Sequence, residues 1–449
     1  MPRVLHTYQG SCEIDFSTGV VIGSSFELAL QEDCGMTVTC PIDPSSKEGK
    51  SILNEKSVLQ ASFSGKSKDG GIITLSRMVL RKKYVNYGNG VLSVNLLFVV
   101  FSDVEISYYQ LEDKPVSVTV GLLNFVFGGC DWTTVANTKV RNKFSVALGI
   151  GKQFTFTHLD DYDETVKRLE REEDIGLTST ITFQTTGVQV SSLEPLVGDS
   201  LMLLSLASAN FVNWVYEDVR IDGKLALTRL HRGKIFPYHG FTSVLDCRNI
   251  PNCVLKEFVE STIRNYQQFN MKLGLGIAIE LYLAALRGDY LNTRYLLLCT
   301  VLECLGSYVP AYLREEGKEL PVGAVSSSRE KIQRILGEHS ERVDEAIVAD
   351  LVKELAYNNP QIKDKIRALL EEFGIPFEES ELSYTKIRAK MIHTGEFPKG
   401  INPLSETLKL TNLVDRIILT ILGYRGIYLD SANGYAAVPL PAPKAQSNQ

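Results

Sequence analysis

Short apolar and β-branched runs recur along the first half of the chain, at Gly19 to Ile22, Ile72 to Leu75, Val91 to Phe101, Val116 to Val120, Phe154 to Thr157 and Thr178 to Phe183. Turn-forming residues separate them, at Asp69-Gly70-Gly71, Asn86 to Gly90 and Gly128-Gly129. Val116, Val118 and Val120 alternate with Ser117 and Thr119, the period of two of a strand with one buried face. The pattern predicts a β-rich domain over 1–245, a sandwich or barrel-like unit. One helix is expected in it, at Tyr162 to Glu173, where charges fall at i,i+4 spacing.

The period changes near residue 253. Phe258, Ile263, Tyr266 and Phe269 fall at helical intervals. Helix punctuation follows: the capping-box spacing of Ser327 and Glu330, Asn-Pro pairs at 359–360 and 402–403, and Gly374 followed by Pro376. Helices are expected over 254–271, 273–287, 290–308, 327–337, 341–356, 360–373, 379–394 and 403–422. The chain therefore reads as an α+β multidomain protein, with an all-α helical-bundle domain over 250–430. A flexible tail over 431–449 is expected, since Pro439, Pro441 and Pro443 leave it little to pack.

Composition narrows the function classes. Among 449 residues, 47 Lys and Arg against 53 Asp and Glu give a net charge of −6, which argues against a basic coat for non-specific nucleic-acid binding. It leaves room for a small basic site. No membrane segment is expected: the stretch Leu273 to Leu286 is interrupted by Glu280 and falls short of the roughly 20 residues a span needs. The first residues lack the apolar core of a signal peptide. None of the eight cysteines forms a C-x-x-C pair, so they read as reduced thiols of a cytoplasmic protein.

Most candidate motifs dissolve on inspection. Gly149-Ile150-Gly151-Lys152 has Val146 and Gln153 where a phosphate-binding loop needs Gly and Ser or Thr, so a hairpin turn is expected. Asp160, Asp161, Asp163 and Glu164 beside His158 fit no EF-hand spacing and read as a helix start. An Arg followed by a His with four to six residues between them occurs three times: Arg232 to His239, Arg334 to His339 and Arg388 to His393. Context selects the third. It lies on a segment where Ile387, Met391 and Ile392 offer an apolar stripe, Gly395 ends the helix, and an apolar helix from Leu404 to Leu422 follows.

The segment Ile387 to Gly395, then Leu413 to Leu419, then Leu422-Gly423-Tyr424-Arg425-Gly426 resembles the ApeA-like branch of the HEPN superfamily. The helical likeness covers roughly 255–430, and a β-rich domain ahead of it fits the same branch at the level of architecture. Ala389 departs from the pattern, since the residue after the Arg is typically Asn or Asp. The resemblance implies a metal-independent endoribonuclease without a cofactor, in antiviral defence of the abortive-infection type. Arg388 and His393 would be catalytic, and two subunits would pair through the helical domain. It further implies RNA, a tRNA loop among the options, as substrate, and an activating ligand or phage component at the amino-terminal domain. Glu303 is either an acid facing the motif from an early helix or an acid at a helix rim. Lys390 is either a phosphate contact or a solvated side chain. A non-catalytic nucleotide-, RNA- or partner-binding protein is the alternative.

RNA carries its own nucleophile, so cleavage needs a proton acceptor and neutralisation of phosphate charge. A histidine and an arginine supply both. On an ideal helix, positions 388 and 393 lie about 140° apart, which fits a composite site built from two subunits. The apolar residues of 403–422 are expected to support that two-fold interface.

Overall fold

Alternation becomes sheet wherever one face can be buried. The computed structural model describes residues 3–31, 35–55, 57–88, 91–135, 138–149, 151–172, 174–231, 236–240, 243–248, 253–318 and 361–443. Packing divides the chain into two units: Met1–Leu201 with Asn210–Gly240 and Arg248–Cys253, and Met202–Ala209 with Phe241–Cys247 and Val254–Gln449. The first is a large antiparallel β-sheet unit and the second is helical.

The strands of the first unit are β1 (Val4–Phe16), β2 (Val21–Gln31), β3 (Met36–Ile42), β4 (Gln60–Ser67), β5 (Ile72–Gly88), β6 (Val91–Val100) and β7 (Val104–Ser107). They continue as β8 (Pro115–Leu123), β9 (Asp131–Val135), β10 (Thr138–Ala147), β11 (Gln153–His158), β12 (Leu177–Thr186), β13 (Asn213–Ile221) and β14 (Lys224–Leu230). Among the described residues these form one sheet, ordered β4-β1-β2-β3-β6-β5-β7-β14-β13-β8-β12-β11-β10-β9. Strand β4 also pairs with β5, from Gln60↔Val79 to Lys66↔Ile72, so the first six strands close on themselves. Closure removes the exposed edges of those strands. Cys12, Ile14 and Phe16 of β1 turn inward while Ser11, Glu13 and Asp15 face solvent, and Phe26, Phe63 and Phe98 fill the same core. A one-residue slip would exchange the two sets. In β8 the expected alternation holds: Val116, Val118 and Val120 are buried.

Over 1–245 the helices exceed the single one expected. Helix α1 (Lys47–Asn54) is capped by Ser46, whose hydroxyl accepts from the Gly49 amide at 2.9 Å. The expected helix is α2 (Tyr162–Glu172), with Asp163 and Glu164 in its first turn. Helix α3 (Val190–Ser208) was hidden by Pro195 and by its second half, where Leu203, Leu204, Leu206 and Ala207 are all fully buried. A helix covered on every side loses the polar stripe that reveals its period.

In the helical unit α4 (Val254–Leu273) and α5 (Leu275–Leu286) meet at Gly274, followed by the long α6 (Leu291–Glu315). Next come α7 (Ile362–Glu372), α8 (Tyr384–Thr394) and α9 (Pro403–Ile421). The expected helices 327–337 and 341–356, with their capping box, and the Asn359-Pro360 pair lie outside the described residues. Asn402 caps α9 by accepting from the Ser405 amide, with Pro403 at the first helical position, as its sequence implied. Gly374 ends α7, and the Ile375 amide reaches back to the Leu370 carbonyl at 2.7 Å.

Three expectations need correction. Residues 431–443 have a packed place: β15 (Ile427–Asp430) and β16 (Ala436–Pro439) form a hairpin that buries Tyr428, Ser431 and Leu440. Among the described residues two helical segments, Gly187–Ser208 and Leu291–Glu315, are long and apolar enough to cross a membrane by length and composition. About half of each apolar window is buried within the protein, and a helix enclosed by a core satisfies the same hydropathy criterion. The apolar surface of α9, expected at a two-fold interface, is consumed inside the subunit: Leu410, Leu413, Ile417, Ile418, Leu419 and Ile421 are all buried.

Helix α9 also buries a carboxyl. Asp415 accepts a hydrogen bond from the Tyr282 hydroxyl of α5, and burial pushes its pKa up to about 8. The folded protein therefore keeps a proton that the unfolded chain gives up above about pH 4. The stability from this group is fully present at low pH and is lost as pH rises towards 8, by at most about 1.4 kcal/mol per pH unit. Asp415→Asn, which keeps the acceptor for Tyr282, is expected to flatten the decline of Tm between pH 5 and 8. Parallel thermal melts of both proteins measure the difference.

Candidate functional site

Helix α8 follows a 3-10 turn, Glu381–Ser383, and buries Tyr384, Ile387 and Met391. The apolar stripe expected to include Ile392 does not: that side chain is 53% exposed, because position 391 already fills the contact and 392 lies about 100° further round. Gly395 closes the helix in the left-handed region, at φ 73°, with its amide on the Met391 carbonyl at 2.7 Å. Asn292, at the start of α6, donates to the Gly395 carbonyl at 2.8 Å and ties this end of α8 down.

The spacing of five residues places Arg388 and His393 in different surroundings. Arg388 is turned onto α6, where its Nε lies 2.5 Å from one Glu303 carboxylate oxygen and its Nη2 lies 2.7 Å from the other. This side-on pairing uses two of the five guanidinium N–H groups and leaves the Nη1 pair uncommitted to Glu303. Both side chains stay about 30% exposed, at 31% and 28%. His393 is exposed and has no hydrogen bond or ion pair among the described residues. Lys390 and Ala389 are also exposed. The structure thus brings Arg388 and Glu303 together and leaves His393 and Lys390 in solvent.

Two side chains that the motif did not indicate complete the seam between α6 and α8. Cys299 lies one turn before Glu303 and Tyr384 one turn before Arg388. Burial pushes the Cys299 thiol up to about 12, with the Arg388 charge pulling the other way. Burial likewise raises the Tyr384 phenol, whose hydroxyl has no hydrogen-bond partner among the described residues. Their i,i+4 spacing to the charged pair was the available signal, and it appears only once the two helices are known to face each other.

The carboxyl-side segment Leu422-Gly423-Tyr424-Arg425-Gly426 is a helix stop. Gly423 takes φ 74° and the Tyr424 amide returns to the Leu419 carbonyl at 3.0 Å. Asn265 of α4 donates to the Leu422 carbonyl at 3.0 Å, and a Cβ on Gly423 would stand 2.3 Å from that amide nitrogen.

The remaining candidates have structural explanations. Gly149 and Lys152 close the β10–β11 hairpin, and Lys152 Nζ donates to Thr185 and Gln189. His158 stacks on Tyr162 and its ring nitrogen lies 3.1 Å from the Phe127 carbonyl, while Asp161 pairs with Arg3. Among the described residues no three His, Cys, Asp or Glu side chains gather as metal ligands would. Arg232, Arg334 and His339 lie outside the described residues. No family model matches the sequence, and no curated protein or solved structure matches it either.

The pair's energy is measurable. A double-mutant cycle with Arg388→Ala and Glu303→Ala, followed by urea unfolding, is expected to return a coupling of about 0.5–1.5 kcal/mol, since solvent screens charges this exposed.

Proposed function

We propose that the chain is a metal-independent endoribonuclease of the ApeA-like HEPN type. The observation that carries the reading is the placement of the motif: Arg388 half-buried and braced by Glu303, His393 exposed at the closed end of the same helix. In this reading the RNA 2′-oxygen attacks the adjacent phosphorus and the P–O5′ bond breaks, leaving a 2′,3′-cyclic phosphate and a 5′-hydroxyl. His393 takes the 2′-hydroxyl proton, or in its charged form gives one to the leaving oxygen. The guanidinium N–H groups that Glu303 leaves unused face the added charge on the phosphoryl oxygens, and the carboxylate fixes the fork.

One α8 directs the two groups apart, so a site that grips a single phosphate takes Arg388 from one subunit and His393 from its partner. The exposed apolar side chains Tyr290, Ile392 and Leu404, at 76%, 53% and 51%, support such a contact now that α9 is otherwise spent on the core. RNA, with a tRNA loop as one option, is the proposed substrate. The β-rich unit is the proposed sensing module of a cytoplasmic antiviral protein. A second reading, a non-catalytic HEPN protein that binds nucleotide, RNA or a partner, is favoured by the engagement of Arg388 with Glu303 and by Ala389.

His393→Ala is expected to lower the rate of RNA cleavage by about 10²- to 10⁴-fold, with EDTA leaving the parent rate unchanged. Gel analysis of end-labelled RNA with cyclic-phosphate detection measures both. Cleavage by the variant at the parent rate overturns the assignment, and absence of cyclic-phosphate ends with every RNA favours the binding reading. Mixing Arg388→Ala with His393→Ala subunits is expected to restore part of the activity.

A further inference from the structure

Strand β5 breaks its own alternation twice, and a cation stands at each break. Leu75 and Met78 oppose Phe63 and Ala61 of β4, so Ser76 and Arg77 share the place of one partner residue. Leu80 and Lys82 oppose Phe98 and Leu97 of β6, which leaves Arg81 without a counterpart. Bulges of this kind re-aim the side chains beside them. Arg77, Arg81 and Lys82 are all exposed, and none has an ion pair or side-chain hydrogen bond among the described residues. Positions 77 and 81 are four apart, about 13 Å of strand. Lys83 is spent differently, donating to the Ile52, Leu53 and Glu55 carbonyls at the end of α1.

The second observation is the absence of opposing charge on this part of the sheet. In a chain of net charge −6, the adjacent strands β3, β6, β5 and β4 carry no Asp or Glu. The nearest acids along the sheet are Glu27 of β2, Glu13 and Asp15 of β1, and Glu105 of β7, which Arg229 holds. Glu55, after α1, accepts the Ser57 amide. An aromatic ring completes the row. Tyr84 shares the face of Lys82 and is 44% exposed, with the Lys82 Nζ 5.7 Å from its ring centre.

We propose that this face of the β-rich unit binds single-stranded nucleic acid. Arg77, Arg81 and Lys82 would pair with phosphates along one strand, and a base would stack on Tyr84. Phosphates and flat rings in alternation are what such a strand supplies, whereas an acidic peptide or lipid surface supplies only the charge. A duplex fits poorly, because stacking on an exposed ring needs a base already free of its helix. The inference does not rest on the endoribonuclease reading: the site lies in the unit that carries neither Arg388 nor His393.

The test is fluorescence anisotropy of a labelled 15-nucleotide oligouridylate on the full-length His393→Ala protein, which keeps the probe intact. Saturable binding that weakens with salt is expected. Arg81→Gln and Lys82→Gln should each lower the slope of log affinity against log salt by about 0.7, or about fivefold in affinity at 0.1 M salt. Tyr84→Ala should weaken binding about tenfold and leave the slope unchanged. Lys167→Gln, an exposed cation on α2, should change neither. Because every substituted side chain is exposed, Tm should stay at the parent value, which separates lost affinity from lost folding. Absence of saturable binding overturns the proposal, as does equal or tighter binding of a duplex RNA of the same length. Equal weakening by Lys167→Gln, or binding of polyglutamate or phosphatidylserine vesicles in place of the oligonucleotide, overturns it too. If these shifts appear in a protein whose parent cleaves no RNA, this site stands and the endoribonuclease reading falls.

Discussion

A buried arginine organises the helical unit. Arg416 sits on α9, 8% exposed, in a helix enclosed by apolar neighbours, where an uncompensated charge would be costly. Its guanidinium meets the Glu381 carboxylate, the Pro376 carbonyl and the Asn412 side chain. Asn412 in turn donates to Tyr428 and Asp430 of the terminal hairpin. One charge thus joins α9 to the segment before α8 and to the β15–β16 hairpin. Because Glu381 lies in the turn that launches α8, satisfying Arg416 fixes where the motif helix begins.

The two arginines of this region show how surroundings divide roles. Arg416 has its donors taken by a carboxylate, an amide oxygen and a backbone carbonyl, as a structural cation does. Arg388 has one carboxylate partner, about 30% exposure and N–H groups left over. Solvent weakens a pair that is exposed to this degree.

In the β-rich unit the governing constraint is closure. Once β4 pairs with both β1 and β5, six strands share one interior, and their inward side chains form one continuous apolar cluster. The sheet then runs on from β5 through β7 to β9, the edge strand. Trp132 of β9 is exposed and lies under the Arg141 guanidinium at 4.6 Å, and placing a cation over an edge aromatic covers part of its face.

Local chemistry made much of this legible in advance. Alternating valines specified β8, Asn402-Pro403 specified the start of α9, and Gly374 and Gly395 specified two helix ends, because each of these depends on the backbone preferences of a few adjacent residues. The change of period near 253 marked where helices begin to dominate. The pairing of β4 with β5, the full burial of α3 and α9, and the contact of Glu303 with Arg388 were decided by tertiary structure. Each of these joins residues far apart in sequence, or removes the polar face by which a helix is recognised. The sequence could place Arg388 and His393 on one helix and state the angle between them. Which of the two would be braced and which left in water depended on where α6 packs, and only long-range burial determines that.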